Sequence, residues 1–245
     1  MLRIHVVNPN TTRSMTEKAA KAAQKAVGSR AQIIASQPEM GPVSIEGFYD
    51  EAFSVPGMLA EIKKKEADGV AGHVIACFDD TGLEAARSIA TGPVIGIGEA
   101  AYHAASLLAG SFSVITTLSR SIPALKTNLA RYGLITRCAK VRAAEVPVLS
   151  LEEEGSPAVA RISEEIARAK REDDCEAIVL GCAGMADLAA KLSTEHNIPV
   201  IEGVSCAASF VCALAELGLK TSKLGGYARP LPKPYLGSFA GFAPD

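Results

Sequence analysis

The chain has 245 residues, 48% of them apolar and 21% charged, with a formal net charge of −2. That length can bury a large core, as one big domain or as two of roughly 100 to 120 residues. The near-neutral balance offers no basic patch for nucleic acid, and no apolar run is long enough to span a bilayer.

The opening segment Met1-Leu2-Arg3-Ile4-His5-Val6-Val7 lacks the long apolar stretch and small-residue cleavage site of a signal peptide, so a cytoplasmic location is expected. The six cysteines, Cys77, Cys138, Cys175, Cys182, Cys206 and Cys212, are then expected to be reduced. None forms a C-x-x-C pair and the four histidines are scattered, so neither zinc nor another metal is expected.

The first half alternates strand and helix patterns. Arg3 to Val7 reads as a strand running into the turn Asn8-Pro9-Asn10-Thr11-Thr12. Met15 to Val27 is an Ala- and Lys-rich helix that stops before Gly28. Ala31 to Ala35 is a strand, Gly57 to Lys65 a helix, and His73 to Cys77 a strand. Leu83 to Ile89 is a helix, Pro93 to Ile97 a strand, and Glu99 to Leu108 a helix. The second half repeats this order. Phe112 to Thr116 is a strand, Ile122 to Tyr132 a helix ending at Gly133, and Lys140 to Val146 a strand. Ala158 to Arg171 is an amphipathic helix with Ile162, Ile166 and Ala169 on one face. Ala177 to Cys182 is a strand, Ala186 to Leu192 a helix, Pro199 to Ile201 a strand, and Cys206 to Leu217 a helix. The tail from Thr221, with Pro230, Pro232 and Pro234, reads as a surface wrap.

Alternating strands and helices predict an α/β fold with parallel sheets covered on both faces. The near-continuous Val/Ile runs suit strands buried on both sides. Cys77 and Cys182 lie 105 residues apart (182 − 77), as do Leu83 and Leu188 (188 − 83); Pro93 and Pro199 lie 106 apart (199 − 93). A duplication with a one-residue insertion accounts for these offsets. The expected architecture is two pseudosymmetric domains, each a four-stranded parallel sheet flanked by helices, with the active site in the cleft between them. The expected boundaries are 1–98 together with about 206–245 for the first domain, and 99–205 for the second.

Ligands of parallel α/β sheets bind at the carboxyl ends of the strands. Four segments occupy those ends: Asn8-Pro9-Asn10-Thr11, Cys77-Phe78-Asp79-Asp80-Thr81, Thr116-Thr117-Leu118-Ser119 and Cys182-Ala183-Gly184-Met185. A cysteine just before a helix start feels the positive end of the dipole and nearby N–H groups, both of which favour the thiolate. One thiolate and one thiol, supplied from opposite sides, can move a proton from one face of a carbon to the other. The alternative is that both are buried strand-end cysteines acting as small apolar residues; their equivalent positions favour the first reading. Cys206 and Cys212 sit in an apolar helix and read as core, Cys138 and Cys175 as incidental.

Asn10, Thr11, Thr116 and Thr117 are candidates to hydrogen-bond a polar substrate, or alternatively to form turns and caps. Asp79 and Asp80 read as helix-start residues. The stretch Pro42-Val43-Ser44-Ile45-Glu46-Gly47 is either an active-site loop or a plain connection. His73 and His103 read as packing residues. Gly96-Ile97-Gly98-Glu99-Ala100-Ala101 fits a loose G-x-G-x-x-A, but it follows the fourth strand and lacks the acidic residue of a dinucleotide site.

The order Asn8-Pro9-Asn10-Thr11, Val74-Ile75-Ala76-Cys77-Phe78-Asp79-Asp80 with Gly82-Leu83, Val114-Ile115-Thr116-Thr117-Leu118, and Leu180-Gly181-Cys182-Ala183-Gly184-Met185 resembles the aspartate/glutamate racemase superfamily. Within it the pattern is similar to the hydantoin racemase branch, which includes allantoin racemases, over nearly the whole chain to about Lys223. The resemblance implies a two-base racemase without cofactor, with Cys77 and Cys182 as its catalytic pair. Amino-acid racemases of the superfamily carry Asn-Thr after the first cysteine and Thr-His after the second. Here Phe78-Asp79 and Ala183-Gly184 stand instead, so a neutral cyclic ureide is the expected substrate, either a 5-substituted hydantoin or allantoin. Asn10, Val43, Ser44, Phe78, Asp79, Thr116, Thr117, Ala183 and Gly184 are the expected substrate contacts. The expected partners are that small molecule and further copies of the chain in a homo-oligomer, with no nucleic acid and no membrane. Within the same superfamily a maleate isomerase also uses two cysteines, whereas arylmalonate decarboxylases typically keep one. A non-catalytic ligand-binding protein shaped like a periplasmic receptor is the remaining alternative, disfavoured by the missing signal peptide.

Overall fold

The computed structural model describes residues 1–153 and 155–244; Glu154, inside the second expected domain, and Asp245, ending the tail, lie outside the described residues. Two four-stranded parallel sheets carry the fold. Strands β1 (Leu2–Val7), β2 (Ala31–Ser36), β3 (Gly72–Ile75) and β4 (Val94–Gly96) make the first, in the order β2-β1-β3-β4. Strands β5 (Phe112–Thr116), β6 (Cys138–Ala143), β7 (Ala177–Gly181) and β8 (Val200–Glu202) make the second, in the order β6-β5-β7-β8. The central strands β3, β5 and β7 are buried along their whole length, which is why their sequences do not alternate.

The helices are α1 (Arg13–Val27), α2 (Phe48–Ala67), α3 (Leu83–Ile89), α4 (Ile97–Leu108), α5 (Ile122–Arg131), α6 (Ala158–Glu172), α7 (Ala189–His196) and α8 (Gly203–Glu216). In α1 every fourth residue, Met15, Ala19, Ala23 and Val27, faces the core, and the helix stops at Gly28 with φ 57°. Several boundaries differ from the sequence expectation. Helix α2 starts at Phe48 rather than Gly57 and runs through Pro56. Burial of Ser54, Gly57, Met58 and Ile62 along one face outweighs the hydrogen bond that the proline removes. Helix α8 starts at Gly203 rather than Cys206, because the Glu202 carboxylate accepts the N–H groups of Val204 and Ser205. Residues Ala183–Met185 form a single 3-10 turn, which delays α7 to Ala189. Strand β6 covers Cys138–Ala143 rather than Lys140–Val146, and Cys77 and Cys182 lie just beyond β3 and β7 rather than inside them.

The two halves exchange helices. Helix α4 follows β4 but packs on β7 and β8, and α8 follows β8 but packs on β1, β3 and β4. The two helices also pack on each other. Their starts meet so closely that a Cβ on Gly203 would lie 2.0 Å from the carbonyl oxygen of Ile97, so only glycine fits. We propose on this basis the division into 1–98 with 206–245, and 99–205. From Thr221, which bonds the carbonyls of Thr91 and Gly92, the tail runs over the surface beside α3 and stays largely exposed. Among the described residues no helix is long and apolar enough to cross a membrane.

Asp80 holds the exchange together. It was expected to start the helix after Cys77; Gly82 does that instead. The Asp80 carboxylate accepts the N–H of Gly98 at 2.9 Å and of Glu99 at 2.7 Å, and the hydroxyl of Tyr132 at 2.8 Å. It thereby caps α4, the anion meeting the positive end of the helix. This accounts for Gly96-Ile97-Gly98. A Cβ on Gly96 would sit 2.0 Å from Asp80 Oδ1, and one on Gly98 would sit 2.3 Å from the carbonyl oxygen of Phe78.

A second buried polar chain crosses the first sheet. His5 and His73 pair across β1 and β3 with their Nδ1 atoms 3.0 Å apart. His73 Nε2 lies 2.8 Å from Glu66 and His5 Nε2 lies 2.8 Å from Ser36 Oγ. Burial, then the neighbouring His73, holds the pKa of His5 down at about 2, against 6.5 unperturbed. Below pH 6.5 the unfolded chain binds a proton at His5 that the folded chain refuses, so this residue costs stability as the pH falls. In His5→Asn that penalty disappears. Denaturant titrations should show wild type losing about 1.4 kcal/mol relative to the variant per pH unit below that point; a pH-independent difference would contradict the assignment.

Candidate active site

A parallel sheet opens a crevice at the carboxyl ends of its strands, where the strand order reverses. That point lies between β1 and β3 in the first sheet and between β5 and β7 in the second. The four loops leaving those strands surround one cavity of about 40 Å³. Cys77 and Cys182 both face it, one from each half.

The two sulfurs have matching surroundings. Cys77 accepts the backbone N–H of Asp79 and lies 3.3 Å from the hydroxyl of Thr81. Cys182 accepts the backbone N–H of Gly184. In each half the N–H two residues on turns back to the sulfur, as a duplicated turn should. The expected lowering of the thiol pKa does not follow. Neither cysteine stands at an α-helix start, since α3 begins at Leu83 behind the left-handed Gly82 and a 3-10 turn follows Cys182. Burial dominates and pushes Cys77 well above the ordinary thiol range and Cys182 up to about 12. A negative Asp79 would raise both further. At neutral pH the free protein therefore carries two thiols here.

Asp79 lines the cavity, and its own carboxyl is pushed far up by burial and then by the nearby Glu51 and Asp80. Its backbone carbonyl accepts a 2.7 Å bond from Asn128, which fixes the loop to the second half. Asn10 lines the cavity with its carbonyl oxygen already engaged by Asn8 and by the N–H of Thr12, leaving Nδ2 near the sulfur of Met15. Thr116 and Thr117 line the opposite wall; the Thr116 hydroxyl donates to the carbonyl of Gly181 at 3.2 Å. Ala183 also borders the space.

Phe78 also borders the space, although it is only 3% exposed and its ring packs edge-on to Tyr102 at 5.3 Å. Other expected contacts stand elsewhere. Val43 and Ser44 do not line the cavity; Val43 is exposed and its carbonyl accepts the Thr12 hydroxyl at 2.7 Å, while Ile45 turns inward. Gly184 packs behind the site, where a Cβ would press on Leu151 at 2.9 Å. Thr11 serves the loop, its N–H donating to the carbonyl of Pro42. Met15, Ser121 and Val148 complete the lining without having been foreseen. Met15 reads as part of the apolar stripe of α1, and nothing local marks the other two. No lysine or arginine is among the lining residues.

The loop that carries Ile45 closes the space. Glu46 accepts the N–H of Val148 at 2.9 Å, joining the two halves across the cavity mouth. On the far side Lys18 of α1 pairs with Glu152 at 2.8 Å and reaches the carbonyls of Leu151 and Gly184.

The family described as Asp/Glu/Hydantoin racemase matches residues 4–211 of this chain. A hydantoin racemase of Rhizobium meliloti is 49% identical over 236 residues, 96% of this chain and 98% of that protein. A hydantoin racemase of Pseudomonas sp. (strain NS671) is 44% identical, over 98% of this chain and 97% of that one. Among solved structures, an allantoin racemase from Klebsiella pneumoniae superposes with a TM-score of 0.97 at 45% identity, covering all of both chains. The match over most of the chain, together with near-full-length relatives well above 30% identity, establishes that this chain belongs to the Asp/Glu/Hydantoin racemase family.

Proposed function

We propose that the protein is a racemase that inverts C5 of 5-substituted hydantoins without a cofactor, with Cys77 and Cys182 as its two proton-transfer groups. The observation that carries this reading is two thiols, one from each half of the chain, lining one cavity whose lining holds no cationic side chain. A free amino acid would bring a carboxylate, and burying that charge without a partner is costly. A cyclic ureide is neutral, and its ring carbonyl acidifies the proton on C5. Once one of the two thiols has lost its proton to solvent, that thiolate takes the C5 proton; the other thiol delivers its own to the other face, and the two sulfurs exchange roles. The titration belongs to the pair rather than to either cysteine. Asn10 Nδ2 and the backbone N–H groups of the four loops are the donors available to the ring oxygens and to the developing enolate.

Allantoin is the second substrate this chemistry admits, and the Klebsiella relative bears its name. Rates with (S)-allantoin and with benzylhydantoin separate the two. The six free cysteines suit a reducing cytoplasm. The exposed Tyr49 and Phe53, their rings tilted against each other at 4.8 Å on α2, support assembly into a homo-oligomer.

Racemisation should fall by about 10²- to 10⁴-fold in Cys77→Ser and in Cys182→Ser, the usual contribution of a proton-transfer group. Each variant should keep deuterium exchange at C5 for one enantiomer only. Full activity in both would rule out the two-thiol mechanism. A cavity of about 40 Å³ is far below the roughly 300 Å³ of ordinary ligand pockets, so a ring enters only when the loop around Ile45 withdraws. Glu46→Ala removes the bond that spans the mouth, a charge-assisted contact of about 1.5–3 kcal/mol. Alkylation of the cavity thiols should accelerate by about tenfold or more; an unchanged rate would show that Glu46 does not hold the mouth closed.

A further inference from the structure

Asp79 is a carboxyl on the cavity wall with no cation facing it there. Its side-chain neighbour is another acid. Glu51, in the first turn of α2, lies within hydrogen-bond reach of the Asp79 carboxyl. Two carboxylates offer only acceptors to each other, so such a bond requires one proton between them. Glu51 Oε1 is shielded from water and has no donor from the rest of the protein. The remaining groups around Asp79 are Asp80 and Cys77 on its own loop and Cys182 across the cavity. Asp80 is committed to the start of α4. Beside Cys182 stand Lys18 and Glu152, which pair with each other.

The two acids differ in how strongly their charge acts. A negative Asp79 opposes ionisation of both Cys77 and Cys182, and at Cys77 its effect exceeds that of Glu51. We propose that Glu51 is a positioning residue for the two-thiol reaction: it accepts a hydrogen bond from protonated Asp79 and so keeps the negative charge of the pair away from the carboxyl that faces the two sulfurs. This inference rests on the racemase reading above. During turnover a single negative charge passes from one sulfur to the ring and on to the other sulfur. A neutral Asp79 lets that charge stand in the cavity without a second one beside it, and its carbonyl oxygen remains free to accept a ring N–H. The proton between the acids is not consumed.

Three variants test the assignment, with wild-type C5 deuterium exchange measured first. Asp79→Asn keeps an uncharged side chain that donates to Glu51, and exchange should fall by about tenfold. Glu51→Gln removes the negative charge that holds the Asp79 carboxyl protonated and offers it an N–H donor, so Asp79 ionises more readily. Exchange at neutral pH should fall by about a hundredfold or more, and the alkylation rates of Cys77 and Cys182 should titrate at least about one pH unit higher. The double variant Glu51→Gln/Asp79→Asn should return to the level of Asp79→Asn, a rescue that a merely structural role for Glu51 would not give. Unshifted thiol titration in Glu51→Gln, or a double variant as slow as Glu51→Gln, overturns the proposal. Infrared difference spectra provide a readout that needs neither substrate nor the Glu51 variants. The wild type minus Asp79→Asn spectrum at neutral pH should contain the carbonyl stretch of a protonated carboxyl, and its absence overturns the proposal as well. A wild type that exchanges neither hydantoins nor allantoin would defeat the racemase reading instead, while alkylation and infrared would still report on the acid pair.

Discussion

The carboxylate of Asp80 at the start of α4 is the contact on which the site depends. It ties the loop of the first cysteine to a helix that packs on the second sheet, and through Tyr132 to α5. The residue pays for this with a left-handed backbone, φ 52°, which aspartate tolerates better than most side chains. Burial lifts its pKa to about 7, with Glu99 adding to the rise and the Tyr132 hydroxyl and two N–H groups opposing it. In the other half the same need is met locally, with Glu202 capping the helix it precedes. Two related helix starts are therefore neutralised by different means. Only the first couples a helix cap to the candidate site.

The shared local turn and the shared burial make the cysteines equivalent; their neighbours make them different. Each sulfur receives an N–H from two residues on, yet Cys77 also meets Thr81 while Cys182 lies near Lys18 and Glu152. Desolvation outweighs these donors at both positions. The cavity thus favours neutral groups on every wall, in keeping with a neutral ring rather than an amino acid. A pair of acids that retains a proton fits the same environment, since a low-dielectric pocket penalises a second charge more than a first.

Much of the architecture was legible from the chain. Strand positions followed from the unbroken apolar runs, and the repeat followed from the offset shared by Cys77 with Cys182 and Leu83 with Leu188. The segments at the strand ends supply eight of the fourteen residues that line the cavity, because parallel sheets place their loops on one edge. Phe78 borders the cavity, but the strand end turns its ring toward Tyr102 and the core, and Val43 lies outside the lining. The loop around Val43 does reach the site, with its next-but-one residue Ile45 facing inward, a choice set by the bonds from Thr11 and Thr12 to Pro42 and Val43.

By itself the sequence determined the alternation of strand and helix, the duplication and the two cysteines that terminate equivalent strands. These are local or periodic properties, carried by side-chain polarity and backbone preference. Tertiary structure alone decided which helix each carboxylate caps, which thiol state the cavity favours and that Glu51 stands beside Asp79. Those outcomes depend on burial and on distances between residues far apart in the chain. Desolvation and Coulomb interactions act through space, and no spacing along the sequence encodes them.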